Sequence, residues 1–80
     1  MERAELLKTL EEIFQDVFGD ENLTIREDMN SNDIEEWDSL THISILAAVQ
    51  DEFGISFVMD EIVAMKNVGD MVSAIEEKLS

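Results

Sequence analysis

Ser39 is the residue of this 80-residue sequence whose neighbours most suggest chemistry. It follows Asp38, precedes Leu40 and lies in the run IEEWDSLTHI, which also holds the chain's only tryptophan and only histidine. A serine at such a position can cap a helix, attack an electrophile, ligate a cation or receive a covalently attached group. These four uses need different neighbours, so each can be weighed against the sequence.

A catalytic serine would need a base, a group that orients the base, and donors for an oxyanion. His42 lies three residues after Ser39, near the same face of a helix, but the G-x-S-x-G pattern of a nucleophile elbow is absent. We therefore predict no catalytic residue. We interpret His42 as a half-exposed helix residue and Trp37 as an anchor that packs the preceding loop against the helix start.

The acidic segment before Ser39 matches a calcium-binding loop only in part. Asp28, Asn30 and Asn32 have the spacing of the first three ligands of an EF-hand. The sixth position holds Asp33 instead of glycine, and the twelfth holds Ser39 instead of a bidentate glutamate. We predict no metal site, and a weak cation site in this loop stays open as an alternative.

The fourth use of Ser39 is as an attachment point. With Asp38 as the N-cap, Ser39 is the first residue of a predicted helix. A helix N-terminus presents unpaired N–H groups and a partial positive charge, which together suit a phosphate group. The three glycines of the chain are too scattered to form a glycine-rich phosphate loop. A phosphate ester on the Ser39 hydroxyl is therefore one of the uses that this position allows.

Four segments with helical periodicity frame this serine. The predicted helices span residues 2–18, 39–53, 59–65 and 68–79. Gly19 and Gly54 are the predicted C-terminal stops, and Asn67 is the predicted cap of the last helix. The polar stretch between the first two helices is long for a compact domain, a feature often linked to function. The sequence thus predicts an all-α four-helix bundle with a short third helix and a long loop between helices 1 and 2.

The second predicted helix is apolar around most of its circumference. Leu40 and Ile43 belong to this broad apolar arc, so we expect the helix to be packed on several sides at the centre of the fold. A narrower, weakly polar stripe remains on its other side. The members of this stripe are Thr41, Ser44, Ala48, Asp51 and Glu52, and the first four are the surface that a partner would meet.

Charge is the strongest signal in the composition. Twenty acidic and five basic residues give a net charge of −15. Such a surface repels nucleic acids and anionic membranes and attracts partners with basic patches. No apolar run approaches the roughly 20 residues that span a bilayer, and the acidic, amphipathic start differs from a secretory signal. We therefore predict a cytoplasmic monomer, with one domain over residues 1–80.

The order of these features resembles the acyl carrier protein family. The shared features are an amphipathic first helix, a long loop, a D-S-L start to the second helix, a short third helix and a fourth helix begun by Asn67-Val68. They cover nearly the whole chain. A D-S-L triplet alone is common, but at the start of the second of four helices in a short acidic chain it is specific.

The resemblance implies that a phosphopantetheinyl transferase attaches 4'-phosphopantetheine to Ser39 through a phosphodiester. The attachment site would then lie between the helix cap Asp38 and Leu40. The thiol of this arm would carry acyl or aminoacyl groups as thioesters, and the chain itself would catalyse no reaction. Partner enzymes with basic docking patches would meet the stripe of Thr41, Ser44, Ala48 and Asp51. The candidates for an acyl pocket, with ordinary core packing as the alternative, are Val49, Ile62, Met65 and Met71.

Two departures separate the chain from carriers of fatty-acid synthesis. Thr41 and Ser44 stand where those carriers usually have acidic residues, and Trp37 stands where they tend to have a small residue. The W-D-S-L-T-H run is more similar to specialised carriers of polyketide-like, peptide-like or cell-surface polymer pathways. We interpret the chain as a free-standing carrier. The alternatives are an unmodified acidic helical interaction module and a cation-binding helical protein that uses the loop from Asp28 to Asp33.

Overall fold

The computed structural model describes residues 2–80, and this part of the chain forms four α-helices and no strand. The helices are α1 (Arg3–Phe18), α2 (Ser39–Phe53), α3 (Met59–Ala64) and α4 (Val68–Leu79). Each observed boundary lies within one residue of the predicted one. The predicted four-helix bundle, with its short third helix and its long loop between α1 and α2, is confirmed. Within residues 2–80, every helix is too short or too polar to span a lipid bilayer.

The helix ends follow from local sequence. Gly19 and Gly54 end α1 and α2 with φ angles of 64° and 65°, in the left-handed region that glycine enters without steric cost. Asn67 caps α4, because its side-chain oxygen accepts a hydrogen bond from the Asp70 backbone N–H at 2.8 Å. These local signals explain why the helix lengths could be read from the sequence.

One cluster of buried apolar side chains joins all four helices and the long loop. Its fully buried members are Leu6, Leu10, Phe14, Ile45, Leu46, Val49, Val68, Met71, Val72 and Ile75. α1 packs against both α2 and α4. The helix at the centre of the packing is therefore α1, and the expectation that α2 would be central is wrong.

The first turns of α2 account for this difference. Leu40 is 75% exposed and Ile43 is 45% exposed, although both belong to the apolar arc of the helix. α3 has only six residues and leaves this part of α2 uncovered. The apolar character of α2 therefore reflects an accessible apolar surface near Ser39 as well as core packing.

The long loop, residues 19–38, is held against the bundle at several points. Its buried anchors are Ile25, Met29, Ile34 and Trp37. The backbone N–H groups of Val68 and Gly69, at the start of α4, donate to loop carbonyls of Met29 and Glu27 at 2.9 and 2.8 Å. These contacts give the loop a defined path and bring Trp37 to the start of α2.

Candidate functional site

A capping box organises the start of α2. Asp38 Oδ1 accepts hydrogen bonds from the backbone N–H groups of Leu40 at 3.0 Å and Thr41 at 2.9 Å. In return, Thr41 Oγ1 accepts from the Asp38 backbone N–H at 2.8 Å and donates to the Glu36 carbonyl at 3.0 Å. The prediction that Asp38 caps α2 is confirmed. The D-x-x-T spacing was the available signal that Thr41 is its reciprocal partner.

Ser39 lies at the first position of α2 with an exposed side chain. Asp38 and Leu40, its two neighbours along the chain, are also exposed. The hydroxyl therefore stands at the N-terminal end of the helix, where the helix dipole favours a negatively charged group. The structure leaves this oxygen accessible to a modifying enzyme.

The hydrogen bonds of the cap lower the pKa of the Asp38 carboxyl below its ordinary value. The largest cause is the hydrogen bond from the Thr41 backbone N–H, and the Leu40 N–H also contributes. A group whose pKa is lowered by folding stabilises the folded state at pH values above its unfolded pKa. This stabilisation is lost as the pH falls through the folded pKa.

We expect Asp38→Asn to lower the free energy of unfolding at neutral pH. The difference from the wild type should shrink progressively below about pH 4, where aspartate side chains take up a proton. Asparagine keeps an oxygen that can accept the hydrogen bonds but carries no charge. Urea unfolding of both proteins at pH 7 and near pH 3 measures the difference, on either side of the pI of about 4.1. A stability difference that stays constant or grows towards low pH would contradict this role of the carboxylate.

A cavity of about 490 Å³ opens beside Ser39. Its volume lies in the range of small-molecule sites. Its apolar lining residues include Met59, Ile62 and Val63 of α3 and Met65 after it. Its polar lining residues include Ser31, His42 and Lys66. The attachment candidate and a partly apolar cavity are thus adjacent.

The structure brings only part of the predicted acyl pocket to this cavity. Ile62 and Met65 line it, whereas Val49 and Met71 are fully buried in the core cluster and do not. Val49 lies about two turns beyond the cavity along α2, and Met71 belongs to α4. Val49 and Met71 are therefore ordinary core residues in this structure, which was the alternative to an acyl pocket.

His42 connects three parts of the site. Its Nδ1 lies 3.2 Å from Trp37 Nε1, and its Nε2 lies 2.9 Å from the carbonyl oxygen of Ile62 in α3. Because an indole N–H can only donate, we assign Nδ1 as the acceptor and Nε2 as the protonated nitrogen that donates to Ile62. His42 is half-buried, as expected, but the sequence did not indicate this bridge.

Trp37 is buried behind His42. The two hydrogen-bonded rings lie side by side with centroids 6.0 Å apart, and Phe14 of α1 packs edge-on against the indole at 5.2 Å. The prediction of Trp37 as a loop anchor is confirmed, with α1 as an additional packing partner.

The predicted docking stripe on α2 is exposed in part. Ser44 and Asp51 are exposed, whereas Thr41 and Ala48 are half-buried. The Thr41 hydroxyl is occupied by the capping box. Leu40 adds an accessible apolar side chain next to these positions.

The acidic loop from Asp28 to Asp33 forms turns and an ion pair. The Asn32 N–H donates to Asn30 Oδ1 at 2.8 Å, and the Asn30 N–H donates to an Asp33 carboxylate oxygen at 3.0 Å. Asp28 pairs with Arg26 at 3.2 Å. Among residues 2–80, no three histidine, aspartate or glutamate side chains converge in a way that could hold a metal ion. The structure gives the cation-binding alternative no such group of ligands.

Comparisons with known proteins place these features in a family. Residues 8–75 match the family described as phosphopantetheine attachment site. An acyl carrier protein of Acidothermus cellulolyticus is 29% identical over 75 residues, which cover 94% of this chain and 89% of the relative.

Two solved structures share the fold. The holo acyl carrier protein of Geobacter metallireducens is 34% identical with a TM-score of 0.85, over 92% of this chain and 85% of the other. The acyl carrier protein of Thermotoga maritima is 26% identical with a TM-score of 0.87, over 99% of this chain and 92% of the other. The chain has the four helices of these proteins, and Ser39, at the capped start of α2, lies inside the matched region. It therefore belongs to the acyl carrier protein family, whose members are carriers rather than enzymes.

Proposed function

We propose that Ser39 is the residue to which 4'-phosphopantetheine is attached, and that this arm carries acyl or aminoacyl groups as thioesters to partner enzymes. The observation that carries the proposal is the exposed hydroxyl at the first position of α2, inside the region that matches the attachment-site family. The adjacent cavity supports it, because a group held at Ser39 has a partly apolar surface beside it.

The surroundings of Ser39 fit a phosphodiester. The N-terminus of α2 contributes partial positive charge, and the basic residue Lys66 lines the same cavity. Asp38 directs its Oδ1 to backbone N–H groups of α2, so its carboxylate is held by the helix. When bound, the arm supplies the thiol that forms thioesters.

The chain's own part in the attachment reaction is to present a nucleophile. Ser39 Oγ forms a bond to the phosphorus that bears the pantetheine in coenzyme A, while the phosphoanhydride bond breaks and the adenine nucleotide leaves. The hydroxyl proton passes to a base on the transferase. Both ring nitrogens of His42, the chain's only histidine, are already engaged in hydrogen bonds.

The proposed partners are a phosphopantetheinyl transferase and acyl-loading or acyl-transferring enzymes with basic docking patches. The net charge of −15 would steer such surfaces towards the chain. The docking surface we propose comprises Thr41, Ser44, Ala48 and Asp51. We further propose a cytoplasmic, monomeric carrier with a single domain, residues 1–80, of which Met1 lies outside the described residues.

The proposed pathway is a specialised one rather than primary fatty-acid synthesis. Trp37 before the cap, and Thr41 and Ser44 in the docking stripe, are the positions that support this proposal. In the structure, Trp37 and Thr41 each make specific contacts at the start of α2, so these departures affect the site itself.

The test is to incubate the apo chain with coenzyme A and a promiscuous phosphopantetheinyl transferase and to measure the intact mass. We expect the wild type to gain one phosphopantetheine and Ser39→Ala to gain none. Ser56→Ala, which removes another exposed serine, is the matched control and should be modified like the wild type. An unmodified wild type with an active transferase would favour the acidic interaction module, and a modified Ser39→Ala would refute the assignment.

A further inference from the structure

We propose that this carrier excludes long acyl chains from the fully buried part of its core, so that the acyl group stays outside it while attached. The feature responsible is the hydrogen-bond bridge from Trp37 through His42 to Ile62, which we call the His42 bridge. This inference rests on the proposed attachment at Ser39. It concerns where the acyl group lies while it is attached.

The His42 bridge lies between the attachment site and the fully buried residues of the core, at the edge of which Trp37 and Ile62 lie. His42 is three residues beyond Ser39 on α2, and its ring reaches across to the Ile62 carbonyl of α3 at 2.9 Å. Ile45 and Val49 follow His42 at helical spacing, on the same side of α2, and both are fully buried. A chain that runs from Ser39 along this side of α2 into the core must pass the hydrogen bond between His42 and Ile62.

Opening the bridge would leave a buried donor without a partner. Trp37 is only 6% exposed, and its indole N–H donates to His42 Nδ1. If the imidazole moves aside, a saturated acyl chain offers no acceptor in its place, and an unpaired buried N–H is unfavourable. The Ile62 carbonyl is less affected, because it also accepts from the Met65 N–H at 3.3 Å.

The imidazole is also held in place by packing. The indole ring of Trp37 lies beside it, with 26° between the two ring planes, and Phe14 supports the indole from α1. Phe14 is fully buried. Displacement of His42 would therefore disturb the contact between the loop and α1, as well as two hydrogen bonds.

The cavity stops at the edge of the core. Its lining includes Ile62 and Met65, which are buried, but not the fully buried Val49 and Met71. Lys66 is among the polar residues that also line it. A short acyl group can rest against the α3 side chains without entering the core.

The test compares acyl forms of different length. The transferase and the corresponding acyl-coenzyme A load the wild type with an acetyl, octanoyl or dodecanoyl group, and thermal unfolding gives Tm for each form. A chain buried in the core would stabilise the fold as a bound ligand does. We expect the three wild-type forms to have the same Tm within error, and His42→Leu to show a Tm that rises with chain length. The matched control is Glu52→Leu, which places the same side chain at an exposed position of α2 and should behave like the wild type.

A second variant covers the case in which His42→Leu fails to fold. Trp37→Phe combined with His42→Leu removes the indole N–H donor together with its imidazole acceptor. Removing both partners of a hydrogen bond is better tolerated than removing one. Backbone amide shifts of Val49 and Met71 should differ between its acetyl and dodecanoyl forms and should coincide in the wild type. A wild-type dodecanoyl form with a higher Tm and shifted core amides would overturn the inference, as would variants without any dependence on chain length. Absence of any mass gain would instead overturn the attachment at Ser39, and the inference with it.

Discussion

Phe14→Ala is expected to lower the free energy of unfolding by about 3–5 kcal/mol, the usual cost of removing a buried phenyl ring. Phe14 is fully buried and makes edge-on contacts with Phe18 at 5.8 Å and with Trp37 at 5.2 Å. Because small domains have a total stability of only about 5–15 kcal/mol, the variant should be close to unfolding at room temperature. Urea denaturation followed by far-UV circular dichroism measures the change.

Phe18→Ala is the matched control for this variant. Phe18 lies one turn later on α1 and is only partly buried at the edge of the core. Its replacement should cost clearly less, because part of the ring already contacts water. Equal losses in the two variants would contradict the central place that we assign to Phe14 and to the contact between α1 and the loop.

Modification by the transferase is expected to slow about tenfold or more when NaCl rises from about 50 mM to about 500 mM. The chain carries a net charge of −15, and electrostatic steering between opposite charges can raise association rates by about 10–1,000-fold. Salt shortens the range of this attraction to a few ångström. The measurement is kcat/KM of the transferase reaction as a function of salt.

Two substitutions locate the effect on the surface. Asp51→Asn removes a charge from the docking stripe, and Asp16→Asn removes the same charge from an exposed position of α1. Both variants have the same net charge, so a difference between them reports position. We expect Asp51→Asn to lower kcat/KM more at low salt. Equal effects would show that only net charge matters, and a rate that does not change with salt would refute steering.

The features of the fold that follow from short-range rules could be predicted from the sequence. The helix bounds rest on apolar periodicity and on Gly19 and Gly54, which take the left-handed conformation expected after a helix. Asp38 and Asn67 cap their helices because their side chains reach N–H groups two or three residues away. No knowledge of distant contacts was needed for these features.

The placement of α2 and the shape of the cavity depend on distant contacts. The helical wheel placed Leu40 and Ile43 with the buried residues, but whether an apolar face is covered depends on the length and path of α3. For the same reason, Val49 and Met71 could not be separated from Ile62 and Met65, since all four are apolar residues at helical positions.

The His42 bridge could not be predicted from spacing alone. Its acceptor in α3 is a backbone carbonyl of Ile62, twenty residues away along the chain, and any residue type offers such a group. The run W-D-S-L-T-H places Trp37 and His42 close together in the sequence. Only the folded chain shows that Nδ1 of His42 faces Trp37 while Nε2 faces the Ile62 carbonyl. The hydrogen bonds of this lone histidine are thus a feature that sequence motifs do not report.

The most direct test of the account is to locate the attached group within the modified chain. Trypsin should release residues 27–66, which contain four serines at positions 31, 39, 44 and 56. Tandem mass spectrometry of this peptide assigns the phosphopantetheine to one of them. We predict that the group is found on Ser39 alone. A group on any of the other three serines, or a peptide that stays unmodified when the transferase is active, would contradict it.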